Sequence, residues 1–135
     1  MDNTFSIQVG NWAAKTKEKM HTVVRKVVLD ISTRLVERSP VKTGRFRANW
    51  QYAYSGAPRY HTEDVDPSGQ ATISRIAALI GSDPAGRVHT IVNNLPYAIP
   101  LEQGWSKQAP YGMVGLTVLE FEAIVDGAAD EVKNQ

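Results

Sequence analysis

The chain has 135 residues, 15 Lys+Arg against 14 Asp+Glu for a formal charge of +1, 42% hydrophobic residues and no cysteine. That is one domain's worth of polypeptide, too apolar and too balanced in charge for a disordered tail. The missing cysteine excludes disulfides, Cys-ligated zinc, iron–sulfur clusters and thiol catalysis.

MDNTFSIQVG has no basic stretch followed by an apolar run, so no secretory leader is expected. No run reaches the ~18 apolar residues of a membrane span. The expectation is one soluble domain over 1–135, intracellular or particle-borne, with no cofactor. The small net charge hides a division. Residues 1–47 hold ten Lys/Arg and four acids, a net of +6, whereas residues 48–135 hold five and ten, a net of −5. Three arrangements fit: a basic front on nucleic acid, one copy's front on the next copy's back, or two halves that neutralise each other within the monomer.

From Asn11 to Arg38 the pattern predicts a helix. Met20, Val24, Val27, Ile31 and Leu35 form a stripe at spacings of four, three, four and four, with Asn11 as N-cap and Pro40 as the stop. At ~1.5 Å per residue it would run roughly 40 Å, long for a small domain, so part of it is free to serve assembly. After a turn at 39–44, Phe46, Ala48, Trp50, Tyr52 and Tyr54 alternate with Arg45, Arg47, Asn49 and Gln51, which predicts a half-buried strand. Residues 55–69 read as a long, mobile polar loop.

Ser68 can cap a helix over 70–80, with Ile73, Ile76, Ala77 and Ile80 on its inner face. After a break at 81–86, Val88, Thr90 and Val92 mark a second strand ending at Asn93 and Asn94. Residues 93–112 carry Pro96, Pro100 and Pro110 together with Leu95, Tyr97, Ile99, Leu101, Trp105 and Tyr111. A loop so apolar must dock on its own chain or on a partner. A β-branched-rich segment over 113–121 leads to a C-terminal helix running to about Asp130, with Leu116, Leu119, Phe121, Ile124 and Val125 as its apolar face. Its acids, from Glu120 to Glu131, oppose the helix dipole at the C-terminal end unless a cation lies near.

Few residues suggest chemistry. DVDPSG at 64–69 opens like a calcium loop, but the twelfth position is Arg75, so a turn and helix cap is the reading. His21, His61 and His89 have no ligand spacing, Ser106 has no nucleophile elbow, and Gly81, Gly86 and Arg87 make no phosphate loop. Glu102 is one acid among apolar neighbours, either with a raised pKa as in a catalytic acid or as a hydrogen-bond anchor for its loop. Lys15, Lys19 and Lys26, with Arg45 and Arg47, would suit a nucleic-acid track or a subunit-facing surface. The alternation sets the two arginines opposite Phe46 and Trp50, so cations and stacking rings do not interleave.

Two stretches together carry a resemblance: SPVKTGRFRANWQ (39–51), following a long helix, and NNLPYAIPLEQGWSKQAPYGMV (93–114). In order and spacing they resemble the tail-completion (tail component, neck) family of tailed bacteriophages and prophages. The resemblance implies an α+β fold, a small, mostly antiparallel sheet flanked by a long N-terminal helix and a C-terminal helix. It implies a non-catalytic virion protein, made in the host cytoplasm, that forms a ring, commonly a hexamer, between the connector and the tail tube or tail terminator. Double-stranded DNA would pass through the lumen without sequence-specific binding; no metal or cofactor is implied. Thr43 and Gly44 would form the turn before the first strand, and Asn94, Pro96 and Tyr97 the end of the second. Glu102, Gly104 and Pro110 would fix the following loop, with Trp105 and Tyr111 as core or interface anchors. The interface candidates are then Lys15, Lys19, Lys26, Arg45, Arg47, Tyr97, Glu102, Trp105 and Tyr111. The alternative is a small DNA-binding or packaging accessory protein using the basic helix.

Overall fold

In the computed structural model, which describes residues 3–54 and 56–134 and side chains from Lys17 onward, the N-terminal apolar stripe becomes a single helix, α1 (Asn3–Arg38). It begins before Asn11, the expected cap, because cooperative propagation outweighs a single capping preference. Its end falls where expected: Ser39 donates its hydroxyl to the Leu35 carbonyl at 2.6 Å, and Pro40 stops the ladder.

The alternating segment departs from expectation. Residues Arg45–Ala48 form a helical turn, α2, and only Trp50–Ala53 form a strand, β1. Gly44 turns the chain at φ 94°, and its carbonyl accepts from Ala48 N–H at 3.1 Å and Asp66 N–H at 2.9 Å. A Cβ at Gly44 would collide with the Asp66–Pro67 backbone, so only glycine fits. Period-two alternation misled here because Asn49 and Gln51, polar by composition, are buried. The Asn49 side-chain amide bonds the Arg45 and Thr62 carbonyls and accepts from Thr62 N–H, satisfying its polar groups inside the fold.

The 56–69 loop is held along its length by such bonds. It leads into α3 (Gln70–Ile80), which buries Thr72, Ile76 and Ile80 and leaves Ala77 exposed. The DVDPSG stretch is a turn, as read, but the N-cap position of α3 is Gly69, at φ 79°, and not the expected Ser68, because the turn needs a left-handed residue there. The Asp66 carboxylate accepts from Thr72 N–H at 2.8 Å and from its hydroxyl at 2.7 Å, while Ser68 accepts from Gln70 N–H at 3.2 Å. Strand β2 (Thr90–Asn93) pairs antiparallel with β1, Trp50 opposite Asn93 and Tyr52 opposite Ile91. Val88, expected in this strand, lies outside it and exposed.

After the short helix α4 (Ala98–Glu102) come α5 (Val114–Leu119) and α6 (Phe121–Lys133), joined at Glu120, so the β-branched segment is helical. The expected apolar face is also revised, since Leu119 is 83% and Phe121 50% exposed. The inner stripe is instead Met113, Thr117, Glu120, Ile124, Ala128 and Val132, with two polar members that a hydropathy pattern assigns to solvent. Thr117 bonds Arg38, and Glu120 lies between Arg34 and Arg38. α6 runs antiparallel to α1, and Lys26 meets Glu131 at 3.0 Å. That cation relieves the acidic C-terminal turn.

The chain therefore has an α+β fold: about 52% helix and a small two-stranded antiparallel sheet, with the long N-terminal and the C-terminal helix alongside. The core gathers Val28, Leu35 and Val36 of α1, Phe46, Trp50, Tyr52, Ile76, Ile80, Leu95, Ala109 and Met113. Within it, Trp50 Nε1–H donates to Ser39 Oγ at 2.8 Å.

Candidate functional site

The two stretches that carry the resemblance are far apart in sequence and joined in the fold. The Gln108 side-chain amide pairs with both backbone groups of Val41, accepting from its N–H at 2.9 Å and donating to its carbonyl at 3.0 Å. Asn93 Nδ2 donates to the Phe46 carbonyl at 2.9 Å, and the Tyr97 ring packs 6.0 Å from that of Phe46. Asn94 reaches the other way and donates to the Pro58 and Tyr60 carbonyls, tying down the 56–69 loop. Between the two stretches runs an open groove of about 810 Å³, bordered by Pro40, Thr43, Phe46, Leu101, Trp105 and Gln108.

Glu102 fixes the second stretch from within. Its carboxylate accepts from Met113, Val114 and Gly115 N–H at 2.9, 2.8 and 3.0 Å, the unpaired donors that open α5. Burial pushes its pKa up, but these three donors outweigh burial and hold it below the ordinary carboxylate value. The raised pKa of a catalytic acid is therefore not present, and the anchor reading describes the geometry. Gly104, at φ 88°, lies so close to the Pro110 carbonyl that a Cβ would clash with it. Thr43 Oγ1 accepts from Arg45 N–H at 3.2 Å, and Pro96 and Pro110 lie at the surface.

This rigid frame turns part of its apolar content outward. Leu95, Ala109 and Met113 are buried, and Tyr97 is partly covered by Phe46, but Trp105 is 76%, Tyr111 79% and Ile99 70% exposed. The core position open to Trp105 in the sequence is thus not the one it takes. Ile99, one of the apolar loop residues in the sequence but not an interface candidate there, is exposed next to a buried Leu95 because of the α4 turn, which three prolines obscure.

The basic candidates are placed differently from a continuous track. Arg45 donates to the Thr62 carbonyl and pairs with Glu63 at 2.9 Å. Arg47 donates to the carbonyls of Ser39, Pro67 and Glu37. Lys26 is paired with Glu131, whereas Lys19 borders an apolar groove with Met20, Val24, Ala129 and Val132. Lys15 has its side chain outside the described residues. Four ion pairs join the cationic 1–47 segment to acids of the remainder, Lys26–Glu131, Arg34–Glu120, Arg38–Glu120 and Arg45–Glu63, so part of the charge division closes within the monomer.

The histidines are likewise engaged locally: His21 Nδ1 accepts from Ala85 N–H, and His89 lies between the Tyr52 hydroxyl and the Pro84 carbonyl. His61 lies 3.4 Å from Arg45. What converges at the junction of the two stretches is apolar and amide surface on a fixed frame, the chemistry of contact with another macromolecule. Comparison with family models, curated proteins and solved structures finds no match to this chain.

Proposed function

We propose that this chain is a structural virion protein of the phage neck or tail end. In this reading it assembles as a ring, a hexamer as the resemblance implies, that completes or joins the tail and leaves a lumen for DNA. The observation that carries the reading is the outward set of Ile99, Trp105 and Tyr111 on a loop whose backbone is fixed by Glu102, Gln108 and Gly104. Large apolar side chains on a mobile loop lose entropy on docking; on a frame already ordered they lose little, so they suit tight, geometrically defined contacts. The paired sequence stretches support the same reading, because the fold makes them one surface.

The test is assembly. Purified protein, alone and with isolated tails or connectors, should give a ring by light scattering and by negative-stain imaging, and the protein should be present in mature particles. Its absence from particles, with no association to tails or connectors, overturns the reading. Retention on duplex DNA that falls steeply with salt would favour the accessory-protein alternative.

A further inference from the structure

The turn between α3 and β2 is held at two adjacent residues by histidines from different elements. From α1, His21 Nδ1 accepts from the Ala85 N–H at 3.1 Å. Just before β2, His89 Nε2 meets the Pro84 carbonyl at 2.8 Å, while its Nδ1 lies 2.7 Å from the Tyr52 hydroxyl of β1. The Tyr52 and His89 rings stack with centroids 5.9 Å apart. Pro84 is buried, whereas Gly86, Arg87 and Val88 are exposed, and the Arg87 guanidinium lies over the Tyr54 ring.

A proton acts differently on the two rings. A backbone N–H only donates, so His21 holds Ala85 only while Nδ1 is unprotonated. Protonation sets one N–H against another and ends the bond. A carbonyl only accepts, so His89 Nε2 carries a proton in either charge state. Its Nδ1 accepts from the Tyr52 hydroxyl in the neutral ring and donates to the same oxygen in the imidazolium, since a hydroxyl rotates to do either. Burial raises the Tyr52 phenol above its ordinary value, so it keeps its own proton throughout.

The charges around His21 leave it somewhere to go. On α1, Lys17 and Glu18 lie one turn before it and Arg25 one turn after. The turn brings Asp83 and Arg87, paired at 3.1 Å. The Asp83 carboxyl is lowered chiefly by its hydrogen bond to Arg87, with a smaller pull from His21, so a charged His21 has a carboxylate beside it. Of the other elements on α1, α3 carries Arg75, which is turned to the Ala48 and Trp50 carbonyls, and α6 brings Glu131 to Lys26 and Lys133 to the groove beside Lys19. Arg25 donates to the Gly81 and Ser82 carbonyls at 3.1 and 2.9 Å, and an arginine does not change charge with mild acid, so the first half of the turn stays on α1. We propose that the two histidines form an acid-sensitive clasp: on protonation His21 releases Ala85 while His89 keeps Pro84, so residues 85–88 loosen from α1 and the rest of the fold stays closed. The clasp is a property of the monomer and stands apart from the assembly reading above.

NMR of the full chain between about pH 8 and pH 5, the range in which imidazoles change charge, tests it. Amide exchange at Ala85, taken relative to the intrinsic rate at each pH, should lose protection roughly fivefold as the His21 ring titrates, the worth of about one hydrogen bond. The amides of the β1–β2 ladder should keep theirs. His21→Asn places a non-titrating acceptor oxygen near the Nδ1 position, so its Ala85 protection should show no fall across the range, and His21→Ala should be unprotected at both ends. Circular dichroism of each variant establishes that it is folded. Wild-type protection at Ala85 that does not change, a fall of the same size in His21→Asn, or an equal fall at the β1–β2 amides overturns the clasp.

Discussion

Ser39 connects the end of α1 to the core through one hydroxyl, donating to the Leu35 carbonyl and accepting from the Trp50 indole. Ser39→Ala leaves that buried N–H without an acceptor and should cost about 1–3 kcal/mol in denaturant unfolding. Trp50→Phe on the Ser39→Ala background should cost less than Trp50→Phe alone, because the orphaned donor is then gone. Glu102 is the second such residue. Glu102→Gln keeps the shape but removes the charge that three N–H groups face, so a loss of about 1–2 kcal/mol at neutral pH is expected. The folded pKa lies below the unfolded one, so the charge contribution is present above the unfolded value and disappears as pH falls through the folded value. The gap between wild type and variant in thermal melts should therefore narrow toward low pH.

At the scale of elements, the loop that presents Trp105 is joined to the 39–44 turn by Gln108. Gln108→Ala should leave the core stable but release the 103–110 backbone, read as faster amide hydrogen exchange there and earlier proteolytic cleavage. The α1–α6 pairing depends on Glu120, whose carboxyl is held at about 2 by its hydrogen bond to Arg38, with Arg34 adding to it against the opposing effect of burial. Asp66 is also lowered, its bonds to Thr72 outweighing burial. Each lowered carboxyl stabilises the fold above its unfolded pKa and ceases to as pH falls through its folded value, for Glu120 about 2. Thermal stability should decline between about pH 5 and pH 2, and Glu120→Gln should flatten the lowest part of that decline.

For the whole molecule, the division between framework and outward surface makes separable mutants possible. Trp105→Ala removes a side chain that touches solvent, so stability should change by less than about 0.5 kcal/mol. If Trp105 is a ring or tail anchor, association with isolated tails should weaken roughly 30-fold, the ~2 kcal/mol of a hot-spot aromatic. Of the three tryptophans, Trp105 is exposed and Trp50 buried, so on a Trp12→Phe background iodide should quench mainly through Trp105, and Trp105→Phe should remove that fraction while Trp50 stays shielded. The charge division belongs to this scale as well. Four cations of the first 47 residues, Lys26, Arg34, Arg38 and Arg45, are met by acids of the remainder, and α6 keeps Glu122, Asp126 and Asp130 on its outer face.

The sequence by itself determined the long helix with its stop at Pro40, the helix over 70–80 and strand-forming segments around Trp50 and Thr90, while the α+β class was what the resemblance implied. Those segments follow from periodicity and local stereochemistry, which act over a few residues. Only the tertiary structure decided that residues 45–48 form a helical turn, that Asn49, Thr117 and Glu120 face inward, and that Trp105 faces out. Polar side chains read as solvent-facing until the fold supplies their partners, as Thr62 does for Asn49 and Arg38 does for Glu120. An apolar ring reads as core until the backbone around it, here fixed by Glu102 and Gln108, leaves it no interior to enter.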